Sequence, residues 1–180
     1  MERELAPSQN TQIIDPTPNR RKLLMEKLLA FIENRASIAD LKGIKKTQLD
    51  QLADMGYVKL KHGRIDEADK IFKALLLLDH RNAYYHAGMA VVHQKKNRMV
   101  HAITEYTFAI KLNARDVSSR VNRGEIYLRH KNYKKAAEDF RTAILLDPHG
   151  INLWANRARS LVIALKRSIE FDQKKAVNII

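Results

Sequence analysis

Seven histidines are the first side chains to weigh as ligands or bases. His86 and His93 stand seven apart, and His62, His80, His101, His130 and His149 are scattered. None forms an HExxH pair or has a carboxylate at diagnostic spacing. Cysteine is absent, which removes disulfides, thiolate metal sites and cysteine nucleophiles together. No GxGxxG, GxxxxGKS/T or GxSxG string occurs, so phosphate cradles and a nucleophile elbow are missing too. These residues predict a non-enzyme without metal or cofactor, its histidines packed or on the surface. The chemistry left is that of contact, through apolar and aromatic side chains that could hold another polypeptide.

What must position such side chains is one domain. At 180 residues and 45% hydrophobic, the chain can bury a single core. The opening MERELAPSQN lacks an apolar h-region, and no apolar run approaches the ~20 residues of a membrane span. A soluble, cytoplasmic protein is the expectation. Residues 1–20 read as a flexible tail interrupted by Pro7, Pro16 and Pro18. In the segment 21–48 that follows, Leu24, Leu28, Phe31 and Ile32 recur at helical period. Leu23, Met25 and Leu29 widen that stripe to a second side. Such a helix must be covered twice, by packing between elements or by a second copy. Leu24, Leu28, Phe31 and Ile32 are its candidate dimer contacts.

The remainder is helical and periodic. Ala68, Ala102 and Ala136 lie 34 apart, as do Phe72, Tyr106 and Phe140, and also Leu78, Leu112 and Leu146. The strings EADKIFKALLLLD, HAITEYTFAIKLN and KAAEDFRTAILLD carry the register. That period in helical sequence is the tetratricopeptide repeat's, which predicts an all-α solenoid. Three repeats, each an antiparallel helix pair, fall at 49–82, 83–116 and 117–150. Small residues suit close helix crossings: Gly56, Ala90 and Gly124 in the first helices, with the alanines above in the second. The aromatic column fills the space between repeats. Gly63 and Asn97 suit a turn with positive φ. Residues 151–180 open a fourth first-helix on Trp154, Ala158, Leu161 and Leu165, with Arg157, Lys166 and Arg167 on its polar face. It caps the solenoid and frays from Lys174.

Function in a solenoid falls in the concave groove lined by the first helices. The candidate peptide-binding residues are Ala53, Tyr57, Leu60, Tyr84, Ala87, Val91, Val121 and Leu128, with Asp50, Ser118 and Glu125 beside them. This mostly apolar lining suits an extended segment, with tyrosine hydroxyls available for its backbone. Domains that clamp acidic chaperone tails place Lys and Asn in this lining. Ala53, Tyr57, Gly88, Ser118 and Asn122 stand there instead, which argues against a carboxylate clamp.

Residues 37–80 resemble the first repeat of the class II chaperones of type III secretion, the LcrH/SycD-like chaperones of translocator proteins. Ile38, Ala39 and Leu41 match a short turn before the first helix. Leu49, Leu52, Gly63, Ala68, Phe72, Ala74, Leu75, Leu78, Asp79 and His80 continue the pattern. Leu75, in a column where most repeats carry alanine, and the LDH that follows are the distinctive part. Gly88 and Gln94 resemble the second repeat, and the likeness spans roughly residues 23–170. It implies a cytoplasmic bacterial chaperone without ATPase activity, holding hydrophobic translocators or effectors in its groove. It also implies dimers through the N-terminal helix. A tetratricopeptide scaffold for other cytoplasmic proteins is the alternative.

Charge departs from the family's usual acidity. The chain carries 33 Lys and Arg against 20 Asp and Glu, a net +13. Lys95, Lys96 and Arg98 occupy one inter-helix turn, and Arg129, Lys131, Lys134 and Lys135 lie near the next. These predict a solvated basic rim, a dock for acidic cargo or a secretion component, or a nucleic-acid surface. The clusters lack interleaved aromatic platforms, which places nucleic acid last.

Overall fold

The computed structural model describes residues 18–177 and consists there of helices alone. The tail at residues 1–17 and the end at 178–180 lie outside the described residues. The first helix, α1 (Pro18–Ile32), opens at a proline. That position suits a residue without an N–H, because the first-turn donors have no intrahelical partner. The helix therefore takes in residues 18–20, which sequence assigns to the tail. A single helical turn, α2 (Ile38–Lys42), follows. Ser37 and Asp40 cap it reciprocally, Asp40 N–H donating to Ser37 Oγ at 3.2 Å and Ser37 N–H to Asp40 Oδ2 at 2.7 Å.

Three helix pairs come next: α3 (Lys46–Lys61) with α4 (Ile65–Leu78), α5 (Ala83–Lys95) with α6 (Met99–Leu112), and α7 (Val117–Arg129) with α8 (Tyr133–Leu145). The long α9 (Leu153–Val177) lies against both α7 and α8. Its helical backbone continues past Lys174, where fraying is expected. Side-chain oxygens start the first helix of successive pairs: Asn82 accepts from Tyr84 N–H at 3.0 Å and Asp116 from Ser119 N–H at 3.0 Å. Asn152 does the same for α9, accepting from Trp154 N–H at 2.9 Å.

The 34-residue columns have direct physical counterparts. Gly63, Asn97 and Lys131 close the three turns within pairs at φ of 74°, 58° and 58°. Only the third asks a side chain with no local hydrogen-bonding role to sit in the left-handed region. Ala68, Ala102 and Ala136 are fully buried, as are Phe72, Tyr106 and Phe140 to within 1%. Phe72 is wedged between two first helices. A Cβ on Gly56 of its own pair would lie 2.9 Å from the ring, and one on Gly88 of the next would lie 2.1 Å away. Neighbouring pairs therefore share Phe72, and the core between Ala39 and Ala158 forms three clusters, two of which meet at Val91.

Ion pairs to buried carboxylates tie the layers. Arg123 holds Asp139 with two donors, at 2.9 and 2.7 Å, and reaches Thr107 Oγ1 on α6 at 2.8 Å. Arg157 on α9 pairs with the buried Glu125, with one contact at 3.0 Å. Glu125 is thus committed to docking the terminal helix and does not line the groove. Arg157 likewise makes a structural contact across α7 and α9.

Nothing covers α1. Leu24, Leu28, Phe31 and Ile32 are 52%, 39%, 37% and 75% exposed. Among the described residues no other element buries these four side chains. The segment just after α1 is anchored by the LDH string: Arg81 donates to Asn34 O at 2.7 Å, and His80 Nε2 meets Asn34 Oδ1 at 3.1 Å.

Candidate peptide-binding groove

The first helices α3, α5 and α7 run side by side along one face and enclose, with the start of α9, an open cavity of about 790 Å³. Five of the eight residues expected there line it: Tyr57, Leu60, Tyr84, Ala87 and Val91. The other three do not. Ala53 and Val121 are 0% exposed and have no surface to offer. Leu128 packs into the cluster beneath α9. The error is one of phase, since a first helix turns one face toward its partner and an adjacent one toward the groove. Of the neighbours expected beside them, Ser118 lines the cavity and Asp50 does not.

Tyr57 and Tyr84 form the floor. Their rings lie 4.8 Å apart, and Tyr57 also meets Phe72 edge-on at 5.1 Å. Tyr57 O–H donates to Tyr84 O at 3.2 Å, and Tyr84 O–H points to Asp54 Oδ1 at 3.4 Å. The hydroxyl protons are therefore engaged within the protein, contrary to the expectation that they are free for a bound backbone. What the tyrosines present is ring surface. Burial pushes the Tyr57 hydroxyl well above the ordinary phenol range, and nearby Tyr84 adds to this, so it stays a neutral donor. Leu60 is only 8% exposed and belongs to the first core cluster. Tyr84, at 45%, offers far more surface.

The far end differs in kind. Asn113, Asp116, Ser118 and Asn122 give polar atoms, and Trp154 closes that end at 39% exposure. Lys61 and Lys95, at the C-terminal ends of α3 and α5, also line the cavity. Sequence placed Trp154 in a capping stripe. The continuing repeat register, which puts α9 in the place of a fourth first-helix, is the signal for its groove position. Gly88 cannot carry a clamp side chain because Phe72 fills the space a Cβ would need.

Among the described residues no three metal-ligating side chains gather, and no helix is long and apolar enough to cross a membrane. His86 is a packing residue. Its Nδ1 meets Glu105 Oε2 at 2.6 Å, its Nε2 meets His80 O at 2.8 Å, and Phe108 lies 5.3 Å from its ring. His93, partly buried and near His101, is held below the usual histidine range by that burial.

Comparison with known proteins finds similar sequences and similar folds. The tetratricopeptide repeat model matches residues 119–149. The low calcium response locus protein H of Yersinia pestis is 22% identical over 147 residues, covering 81% of this chain and 88% of that protein. The chaperone protein SicA of Salmonella dublin is 29% identical over 109 residues, 61% of this chain and 66% of SicA. PcrH of Pseudomonas aeruginosa, solved in complex with the chaperone binding region of PopB, superposes with a TM-score of 0.60 at 26% identity, over 66% of this chain and 97% of PcrH.

Proposed function

We propose, for a chain that belongs to the class II translocator chaperones of type III secretion, that the groove floored by Tyr57 and Tyr84 holds an extended apolar segment of a hydrophobic translocator or effector. The observation that carries this is an open, mainly apolar cavity along the three first helices. The chaperone acts by mass action: occupying an aggregation-prone segment lowers the free concentration of the species that associates or inserts. At ~25 cal/mol per Å² of apolar area, a few anchors sustain micromolar binding once ordering costs are subtracted. The place of action is the bacterial cytoplasm, before secretion.

Co-expression with a hydrophobic secreted protein encoded nearby tests the reading. The chaperone keeps that protein in the soluble fraction, and Tyr84→Glu abolishes the effect while the variant melts with the parent. Tyr84 is the better probe than Leu60, whose replacement by a charge would disturb the core. Full rescue by a folded Tyr84→Glu variant would count against the groove.

The uncovered face of α1 supports a second element, a homodimer contact through Leu24, Leu28, Phe31 and Ile32. Light scattering of Leu24→Asp/Leu28→Asp gives a monomer where the parent is dimeric. An unchanged mass removes this contact.

A further inference from the structure

The antiparallel pairs place their three internal turns on one edge of the solenoid and the connections between pairs on the other. Residues 59–64, 93–98 and 129–135 carry ten Lys and Arg and no Asp or Glu. The opposite edge, at 79–82, 113–116 and 147–152, has three Asp and two Arg. Part of the cationic edge is neutralised internally. Lys59 and Arg64 pair with Glu67, Lys96 with Asp66 and Asp69, and Lys135 lies over the Tyr127 ring. Lys61, Lys95, Arg98, Arg129, Lys131 and Lys134 are exposed and form no ion pair among the described residues. Two of these six, Lys61 and Lys95, also stand on the rim of the apolar cavity. The groove and the cationic edge therefore meet at Lys61 and Lys95.

We propose that this edge docks an acidic run of polypeptide lying next to the apolar segment in the same cargo, so that the chaperone recognises a two-part signal, apolar then acidic. This rests on the groove reading above and adds a chemical class to it. Adjacent turns repeat at roughly helix spacing, about 10 Å, and an extended chain rises about 3.3 Å per residue. An acidic run of about six residues therefore spans the three turns. A polypeptide is favoured over nucleic acid because Tyr133 is the only Phe, Tyr or Trp among these turns, too few for a platform of stacked bases. It is favoured over a membrane because Leu60, their only aliphatic side chain, is buried and cannot insert.

The test uses the full-length protein and labelled peptides that share an apolar core of about eight residues and carry about six glutamates or six glutamines at either end. Two or three exposed ion pairs correspond to roughly tenfold in affinity at low ionic strength. One glutamate peptide should bind about tenfold tighter than its glutamine twin at about 50 mM salt, and within about twofold of it at 500 mM. In Lys61→Gln/Lys95→Gln, and independently in Arg98→Gln/Arg129→Gln/Lys131→Gln, the glutamate-to-glutamine ratio should fall toward one. Equal binding of glutamate and glutamine peptides to the parent overturns the inference and leaves the groove reading intact. Failure of every peptide to bind overturns the groove reading itself. Displacement of the glutamate peptide by lower concentrations of transfer RNA, or of phosphatidylglycerol vesicles, would reassign the edge to that partner.

Discussion

The shared aromatic between repeats makes Gly88→Ala a demanding perturbation. A Cβ there would lie 2.1, 2.4 and 2.6 Å from three carbons of the Phe72 ring, well inside the 3.5–4.0 Å of ordinary carbon contact. The ring cannot retreat, because it is 0% exposed, with the Gly56 backbone behind it and Tyr57 against its edge. Overpacking of this kind costs about 3 kcal/mol. Opposing it, alanine in mid-helix is favoured over glycine by about 1 kcal/mol. Sterics win, and the net loss is about 2 kcal/mol, a fall in Tm of roughly 4–8 °C for a chain of this size. Thermal melts followed by far-UV circular dichroism measure it. The same geometry ranks the other sites, since a Cβ on Gly124 would meet Phe140 at 2.7 Å and one on Gly56 would meet Phe72 at 2.9 Å. The order of damage is therefore Gly88, Gly124, Gly56. Phe72→Ala alone costs about 3–5 kcal/mol, and less in the Gly88→Ala background, where the new methyl enters vacated space. A Gly88→Ala protein that melts at or above the parent temperature would refute the wedge.

Three other expectations follow from the packing. Arg123→Ala leaves the buried Asp139 carboxylate without its two donors and lowers stability by about 3 kcal/mol or more, read from the urea midpoint, whereas Arg141→Ala on the exposed face changes little. His86 is buried, which disfavours its charge, but the Glu105 carboxylate and the His80 carbonyl outweigh this and raise its pKa above 6.5. Its protonated form therefore adds stability that is full below about pH 6.5 and lost as pH climbs through the raised value; Glu105→Gln should flatten that dependence in urea titrations across this window. Lys131→Gly relieves a left-handed lysine at φ 58° and should raise stability by about 0.5–1 kcal/mol, visible as a higher Tm.

The fold was legible because a 34-residue period constrains many columns at once. Ala68, Phe72, Gly63 and their counterparts are each required by a close crossing, a shared cavity or a left-handed turn. The groove was legible only in part. Tyr57, Tyr84 and Val91 face it, while Ala53, on the same helix as Tyr57, and Val121, on the third first-helix, face the core. Separating those two faces needs the packing angle of the helix pairs, which periodicity does not encode. Trp154 and Lys61 were missed because their groove positions depend on how α9 and the first turn close the two ends. The tyrosine hydroxyls looked free because their acceptors, Tyr84 O and Asp54, lie about 30 residues away in sequence.

The central claim is that cargo lies in the concave groove. A photoreactive phenylalanine analogue placed at position 84, or at position 77 on the exposed outer face of α4 where Leu77 is 69% exposed, tests it in the assembled chaperone–cargo complex. Crosslinking to cargo from position 84 and none from position 77 is the predicted result. Crosslinks from position 77 with none from position 84 would contradict it.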